Sequence, residues 1–441
     1  MPKGWVIPQS KTATMADVLP DILRPPSTPA ELDIPMLLVE RLVLRRVFAV
    51  EQSSTHELVR DLGLDIQIID AAFEMLRQKK QVNVLGLQGS NYRFELTQVG
   101  RERALEAITR SSYAGIAPVS LPRYFNLVNL LRAEIRLQRD DVTHALDDLV
   151  VSDELIRRVG PAFATQRPIL LHGPAGTGKT SIAERLVRLY DDVVAIPHAV
   201  EVDGQVIVVF DPIVHRPVPH QPDGLDPRWV VCERPMVIAG GELELGMLDV
   251  KRDPLTGIYT APLQMKANNG LLIIDDFGRQ QIAPSALLNR WIVPLERKVD
   301  YLSLDYGLKF GVPFECLVVF STNIPPLELG DEAFFRRIPN KIYVGAVTPE
   351  EFDEITVRCL VSTGFAPDFT TAELVRDVCV AMGATSLRPC VPMDLCRIAR
   401  SIVDFDDLPN RFDRSVAQQA ADMYFTASGT HSESSSLFRL V

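Results

Sequence analysis

PILLHGPAGTGKTSIAERLVRL, residues 168–189, decides how the rest of the chain is read. Ile169-Leu170-Leu171 is an apolar run of strand type, and Ile182, Leu186 and Leu189 then recur at helical spacing. Between them Gly173-Pro174-Ala175-Gly176-Thr177-Gly178-Lys179-Thr180 fits G-x-x-x-x-G-K-[ST] in full. Such a loop turns successive backbone N–H groups toward a helix N-terminus, where the partial positive charge favours phosphate. A Cβ at the glycines would block both the positive-φ turns and the close approach of a ligand. In this setting Lys179 reaches the β- and γ-phosphates and Thr180 holds Mg²⁺ through its hydroxyl, with Ser181 beside them as a further cofactor-binding candidate. The reading is a nucleotide site.

Three later stretches carry partner chemistry. NNGLLIIDDFGRQ, residues 268–280, places a fully apolar strand, Leu271 to Ile274, directly before Asp275-Asp276. Two adjacent carboxylates at the C-terminal edge of a strand suit a cation site, with Asp275 on Mg²⁺ and Asp276 orienting or deprotonating a water. ECLVVFSTN, residues 315–323, is another apolar strand, and Asn323 at its tip is placed to hydrogen-bond a phosphate and the attacking water. DEAFFRRIPNKI then brings Arg336-Arg337, and LRPCVPMDLCRIARSIV sets Arg388 just ahead of a helix.

Composition bounds the rest. A chain of 441 residues exceeds one ordinary domain, and 46% hydrophobic with 23% charged residues is a globular composition with ample core. The formal charge of −11 argues against bulk attraction to nucleic acid or an anionic membrane. The six cysteines form no C-x-x-C pair, so reduced core thiols are expected. The first residues, MPKGWVIPQS, show no apolar targeting core, and no run of 18 apolar residues occurs. The expected location is cytoplasmic, without membrane insertion.

In chain order, Pro-rich residues 1–35 read as a flexible leader and 36–112 as three helices followed by a β-hairpin, the order of a winged helix. Residues 1–110 hold 14 Lys+Arg and 14 Asp+Glu, and the candidate recognition helix opens with Asp70 and Glu74. Nucleic acid is thereby possible but not favoured, and protein docking is preferred. Residues 113–124 read as a linker, 125–345 as the ATPase core with an insertion at about 200–265, 346–426 as a helical lid and 427–441 as a disordered tail with an apolar end. Within the insertion Asp203-Gly204 is a hairpin signal, and His215 and His220 lie in a Pro- and His-rich loop whose spacing fits no zinc pattern. Thr348 with Glu351, and Thr370 with Glu373, read as helix capping boxes.

The order GPAGTGKT, LLIIDD, STN, FFRR and SLRP resembles the AAA+ ATPases across about residues 125–425. The resemblance implies a parallel five-stranded αβα sandwich with a helical lid, ATP and Mg²⁺ as ligands, and a homo-oligomeric ring, most simply a hexamer, acting on a protein client. It makes Asp275 and Asp276 the Walker B pair, Asn323 sensor 1, Arg388 sensor 2, and Arg337, or else Arg336, the arginine finger. The phrases DDFGRQ, LLNRWIVPLE and AFFRRIPNKI are similar to a MoxR-like bacterial group with chaperone activity associated with Flp pilus assembly. That family usually has Asp-Glu at Walker B, where this chain has Asp276, with one methylene less reach. An ATP-gated scaffold with little turnover, or a DNA-associated remodeller, are the alternatives to a ring that hydrolyses ATP.

Overall fold

A computed structural model describes residues 20–88, 91–329 and 336–425. The expected tail, the hairpin turn at Gly89-Ser90 and the pair Phe334-Phe335 lie outside them, as do residues 1–19 of the leader.

The N-terminal unit runs α1 (Met36–Val50), β1 (Gln52–Ser54), α2 (Thr55–Leu62), α3 (Ile66–Gln78), β2 (Val82–Gln88), β3 (Asn91–Leu96) and α4 (Gln98–Arg110). Its strands form a small antiparallel sheet in the order β1-β3-β2. Ser54 caps α2 in a full capping box with Glu57, and Leu42, Leu62, Ile69, Phe73 and Phe94 are among the residues that close the core.

The middle of the chain continues as β4 (Val119–Ser120), α5 (Leu121–Leu130), α6 (Arg139–Ala145), α7 (Asp153–Ala164), β5 (Ile169–His172) and α8 (Lys179–Arg185). Next come β6 (Val193–Pro197), β7 (Ala199–Val202), β8 (Gln205–Val208), β9 (Trp229–Glu233), β10 (Met236–Ala239), β11 (Lys251–Arg252) and β12 (Tyr259–Thr260). After them follow α9 (Leu263–Lys266), β13 (Leu271–Ile274), α10 (Pro284–Arg297), β14 (Val299–Ser303), β15 (Lys309–Pro313), β16 (Leu317–Thr322), α11 (Pro326–Leu329) and β17 (Asn340–Tyr343).

The central sheet has the order β10-β13-β16-β5-β17, and every pair in it is parallel. Its three inner strands, β13, β16 and β5, are buried on both faces because helices cover both. Ile169, Leu171, Leu271, Ile273, Leu317 and Val319 pack with Phe163, Ile182 and Leu186 on one side. Leu170, Leu272, Ile274, Val318 and Phe320 pack with Leu287, Leu288 and Trp291 of α10 on the other. Four helices close the described chain: α12 (Pro349–Ser362), α13 (Phe369–Ala381), α14 (Cys390–Phe405) and α15 (Arg414–Tyr424), around a core of their own. The fold is the expected α/β architecture, a five-stranded parallel sheet between two layers of helices, followed by a helical unit.

Several expectations change. Residues 20–35 are packed rather than loose: Leu23 and Ile34 are buried, and Asp33 accepts from Arg228 Nη1 at 2.6 Å and from the Ser120 N–H at 2.7 Å. Arg228 is fully buried and is also held by Asp226, Nη2 to Oδ2, at 2.8 Å. Burial works against the Asp33 carboxylate, yet Arg228, the Ser120 amide and Arg123 hold its pKa below the usual range. Replacing Arg228 by Ala would leave buried Asp226 with Arg123 alone, 3.2 Å away, and would take from Asp33 its nearest cation, at a cost of about 3 kcal/mol. Denaturant unfolding reads this directly, and a loss below about 1 kcal/mol would reduce the cluster to an ordinary surface ion pair.

The expected linker 113–124 is also structured, with Val119 buried and β4 paired parallel to β7. Residues 200–265 are not one appendage. Asp203 and Gly204 do turn β7 into β8, both at positive φ, and these strands join a second sheet, β11-β12-β8-β7-β4. Met236–Ala239, however, is the edge strand of the central sheet, paired with β13. Four apolar residues between Pro235 and Gly240 carry little signal by themselves, and only the partner strand reveals them. His215 is buried rather than on a surface loop: Nδ1 accepts from the Asp211 N–H at 2.9 Å and Nε2 lies 2.8 Å from the Lys266 carbonyl. Thr348 forms its box with Glu351, but the cap of α13 is Asp368, whose carboxylate accepts from the Thr370 and Thr371 N–H groups, and not Thr370. All six cysteines are free thiols, five of them buried.

Candidate nucleotide site

The phosphate loop hangs from the C-terminal end of β5. Its root is fixed on both sides, since the Gly173 N–H donates to Thr322 O at 3.3 Å and the Val344 N–H to His172 O at 2.8 Å. Gly173 has φ +150°, and a Cβ there would overlap Val344 O, so only glycine fits. Gly176 and Gly178 then turn at φ +77° and +86°, and α8 starts at Lys179.

Lys179 is buried and its ammonium folds across the loop, donating to Gly173 O at 3.0 Å and Pro174 O at 2.7 Å. Burial draws its pKa below the ordinary lysine value, opposed by the charges of Asp276 and Asp275. The Thr180 hydroxyl donates to Asp275, 2.8 Å from Oδ1 and 3.0 Å from Oδ2. One hydroxyl and one carboxylate in contact are hard oxygen donors of the kind Mg²⁺ prefers. Asp275 is itself held, its N–H donating to Ala239 O at 2.8 Å and its carbonyl accepting from Gln280 Nε2 at 2.7 Å.

Asp276 lies in the left-handed region at φ +49°, which Asp and Asn enter more readily than other L residues. The turn is tied to the next strand, because the Phe277 N–H donates to Ser321 O at 2.7 Å and Thr322 Oγ1 to Phe277 O at 2.6 Å. Asp276 and Asn323 consequently line the same cavity, of about 650 Å³, together with Ala175 to Ile182. The far wall is apolar: Leu149, Val150 and Val151 from the segment before α7, and Ile355, Cys359 and Met393 from the lid. A charged floor and an apolar end match the two halves of a nucleoside phosphate.

Arg388 does not line this cavity. The turn that contains it rests on the loop apex, where the Cys390 N–H donates to Gly176 O at 3.3 Å. Arg336 and Arg337 precede β17 and so lie at the N-terminal edge of the sheet, a strand length of about 13 Å from the phosphate-loop edge. There Arg337 Nε donates to Glu296 Oε1 at 2.8 Å. The structure thus brings together Lys179, Thr180, Asp275, Asp276 and Asn323, and leaves the arginine pair outside the cavity of its own chain.

Sequence reasoning missed the apolar wall. Ile355 and Cys359 stand four apart on α12, a spacing that announces a buried face without saying what covers it. It also missed Arg358, which lines the cavity and donates to Asp147 O at 3.0 Å, and Asp148, which receives Arg185 at 2.9 Å and Arg188 at 2.7 Å. Both tie the lid and α8 to the segment before α7.

A family model described as Domain of unknown function (DUF8689) matches residues 348–423, the helical lid. No curated protein matches the chain at a significant level. Among solved structures, the RuvB Holliday junction branch migration motor of Thermotoga maritima is similar at 14% identity and TM-score 0.36, with 66% of this chain and 72% of that one covered. NtrX from Brucella abortus in complex with ADP is similar at 13% identity and TM-score 0.42, with 75% and 68% covered. Likeness at this level carries no function across, and the functional reading rests on the geometry of this chain. Among the described residues, no helix is long and apolar enough to cross a membrane.

Proposed function

We propose that this chain is an ATPase that binds and hydrolyses Mg-ATP as an oligomeric ring and uses the cycle to remodel or assemble protein complexes. The observation that carries the reading is the contact of Thr180 with Asp275 beside Lys179, at the mouth of a cavity also lined by Asp276 and Asn323. Thr180 and Asp275 would hold Mg²⁺, which when bound neutralises charge on the β- and γ-phosphate oxygens. Lys179 leaves the loop carbonyls for the phosphates. Asp276 and Asn323 orient the water whose oxygen bonds to the γ-phosphorus as the bridging bond to ADP breaks, with Asp276 taking the proton. Leu149 to Val151 and the lid face of Ile355, Cys359 and Met393 cover the base, and Arg388 links nucleotide state to the lid.

Arg337, at the far edge of the sheet, serves a neighbouring subunit's nucleotide, with Arg336 beside it. This is the reason for reading the protein as a ring. The N-terminal unit, winged-helix-like in its order of elements, offers Asp70 and Glu74 along α3 and suits a protein partner better than DNA. A second reading, an ATP-gated scaffold with little turnover, is favoured by Asp276 alone, whose carboxylate is short and sits on a left-handed residue.

Phosphate release by the full chain, with Mg²⁺ and with the metal chelated, tests the reading when run beside Lys179→Ala and Thr180→Ala. Turnover that requires Mg²⁺ and both side chains supports it. ATP binding that drives assembly without phosphate release would replace it with the scaffold.

A further inference from the structure

A carboxylate that meets Arg337 comes from the end of α10. The cleft at this edge of the sheet measures about 500 Å³ and is lined by Arg167, Lys298, Arg336 and Arg337, with Glu296 as its carboxylate. Among the described residues that line it, four are cations and one is an acid, a balance that favours an incoming anion. Glu296 lies in the last turn of α10, a helix of 14 residues and about 21 Å that begins eight residues after Asp276. Leu287, Leu288 and Trp291 bury that helix against the sheet, so its end is a fixed platform. The Glu296 side chain itself is 52% exposed, and exposed ion pairs contribute little to stability. Its contact with Arg337 Nε does something else: it restricts a long, flexible side chain before any anion arrives.

We propose that Glu296 is a positioning residue that aims Arg337 at the terminal phosphate of a nucleotide held by a second copy of this chain. This rests on the reading above that Arg337 acts in trans. Arg167 and Lys298 supply further positive charge to the same cleft.

The test uses full-length chains mixed in pairs. Glu296→Ala should lower kcat about 10–100-fold, as misaimed groups do, with KM for ATP and the melting temperature unchanged. Glu296→Gln, whose amide oxygen still accepts from Nε, should retain most of the rate. Mixing Glu296→Ala with Lys179→Ala subunits should raise turnover above the sum of the two alone, because one supplies an intact phosphate loop and the other an intact arginine pair. Mixing Arg337→Ala with Lys179→Ala is the control. If the control complements while Glu296→Ala has a wild-type rate, or fails to complement, the positioning role is overturned and the trans reading stands. If the control itself fails to complement, the trans reading falls and takes this role with it.

Discussion

Replacing Arg337 by Ala is expected to lower ATP turnover per subunit by about 10³–10⁵-fold, the range for arginines that stabilise phosphoryl transfer, while ATP affinity stays near wild type. The two effects separate because the residue lies at the opposite edge of the sheet from the phosphate loop, where it pairs with Glu296. It is not among the residues that line the candidate nucleotide cavity of its own chain, so binding by the isolated chain is not expected to depend on it. Fluorescent nucleotide titration and phosphate release on the same preparation check both halves. Parallel loss of affinity and turnover would place Arg337 in the fold of its own site instead. Arg336→Ala, one residue earlier in the same cleft, should cost less.

Asp276→Asn should abolish most turnover, by about 10²–10⁴-fold, while leaving ATP binding and melting temperature unchanged. The substitution is chosen for the backbone: at φ +49°, Asn is tolerated as well as Asp, so the strand end and its bonds to Ser321 and Thr322 persist. What is lost is the carboxylate beside Asn323. Asp276→Glu is a poorer probe because Glu is less at home in the left-handed region, so longer reach is offset by backbone strain. Binding that fails along with turnover in Asp276→Asn would show that Asp276, and not Asp275, is the residue on the metal.

The parts of the site that could be read from the sequence are those in which chemistry and local structure coincide. Gly173 to Thr180 bends the backbone and, on the proposed reading, binds the ligand, and Asp275-Asp276 ends a strand at the sheet edge that carries the candidate site. Residues that depend on distant partners were not legible. Asp33 lies in a proline-rich stretch that reads as leader, yet Arg228, 195 positions away, holds it. Met236–Ala239 is too short to announce itself as a core strand until β13 pairs with it. Leu149 to Val151 become a wall of the candidate cavity only because the lid returns some 200 residues later to line it with them. The arginine pair was found by motif order, but the carboxylate that holds Arg337 comes from another helix and left no trace in spacing.

The most direct measurement is ATP turnover per subunit as a function of total protein concentration at saturating Mg-ATP. A site completed by a neighbour predicts a rate per subunit that rises with concentration and levels off as the ring fills. A measurable rate that stays constant from dilute monomer to assembled protein would contradict the account, because each chain would then carry a complete site of its own.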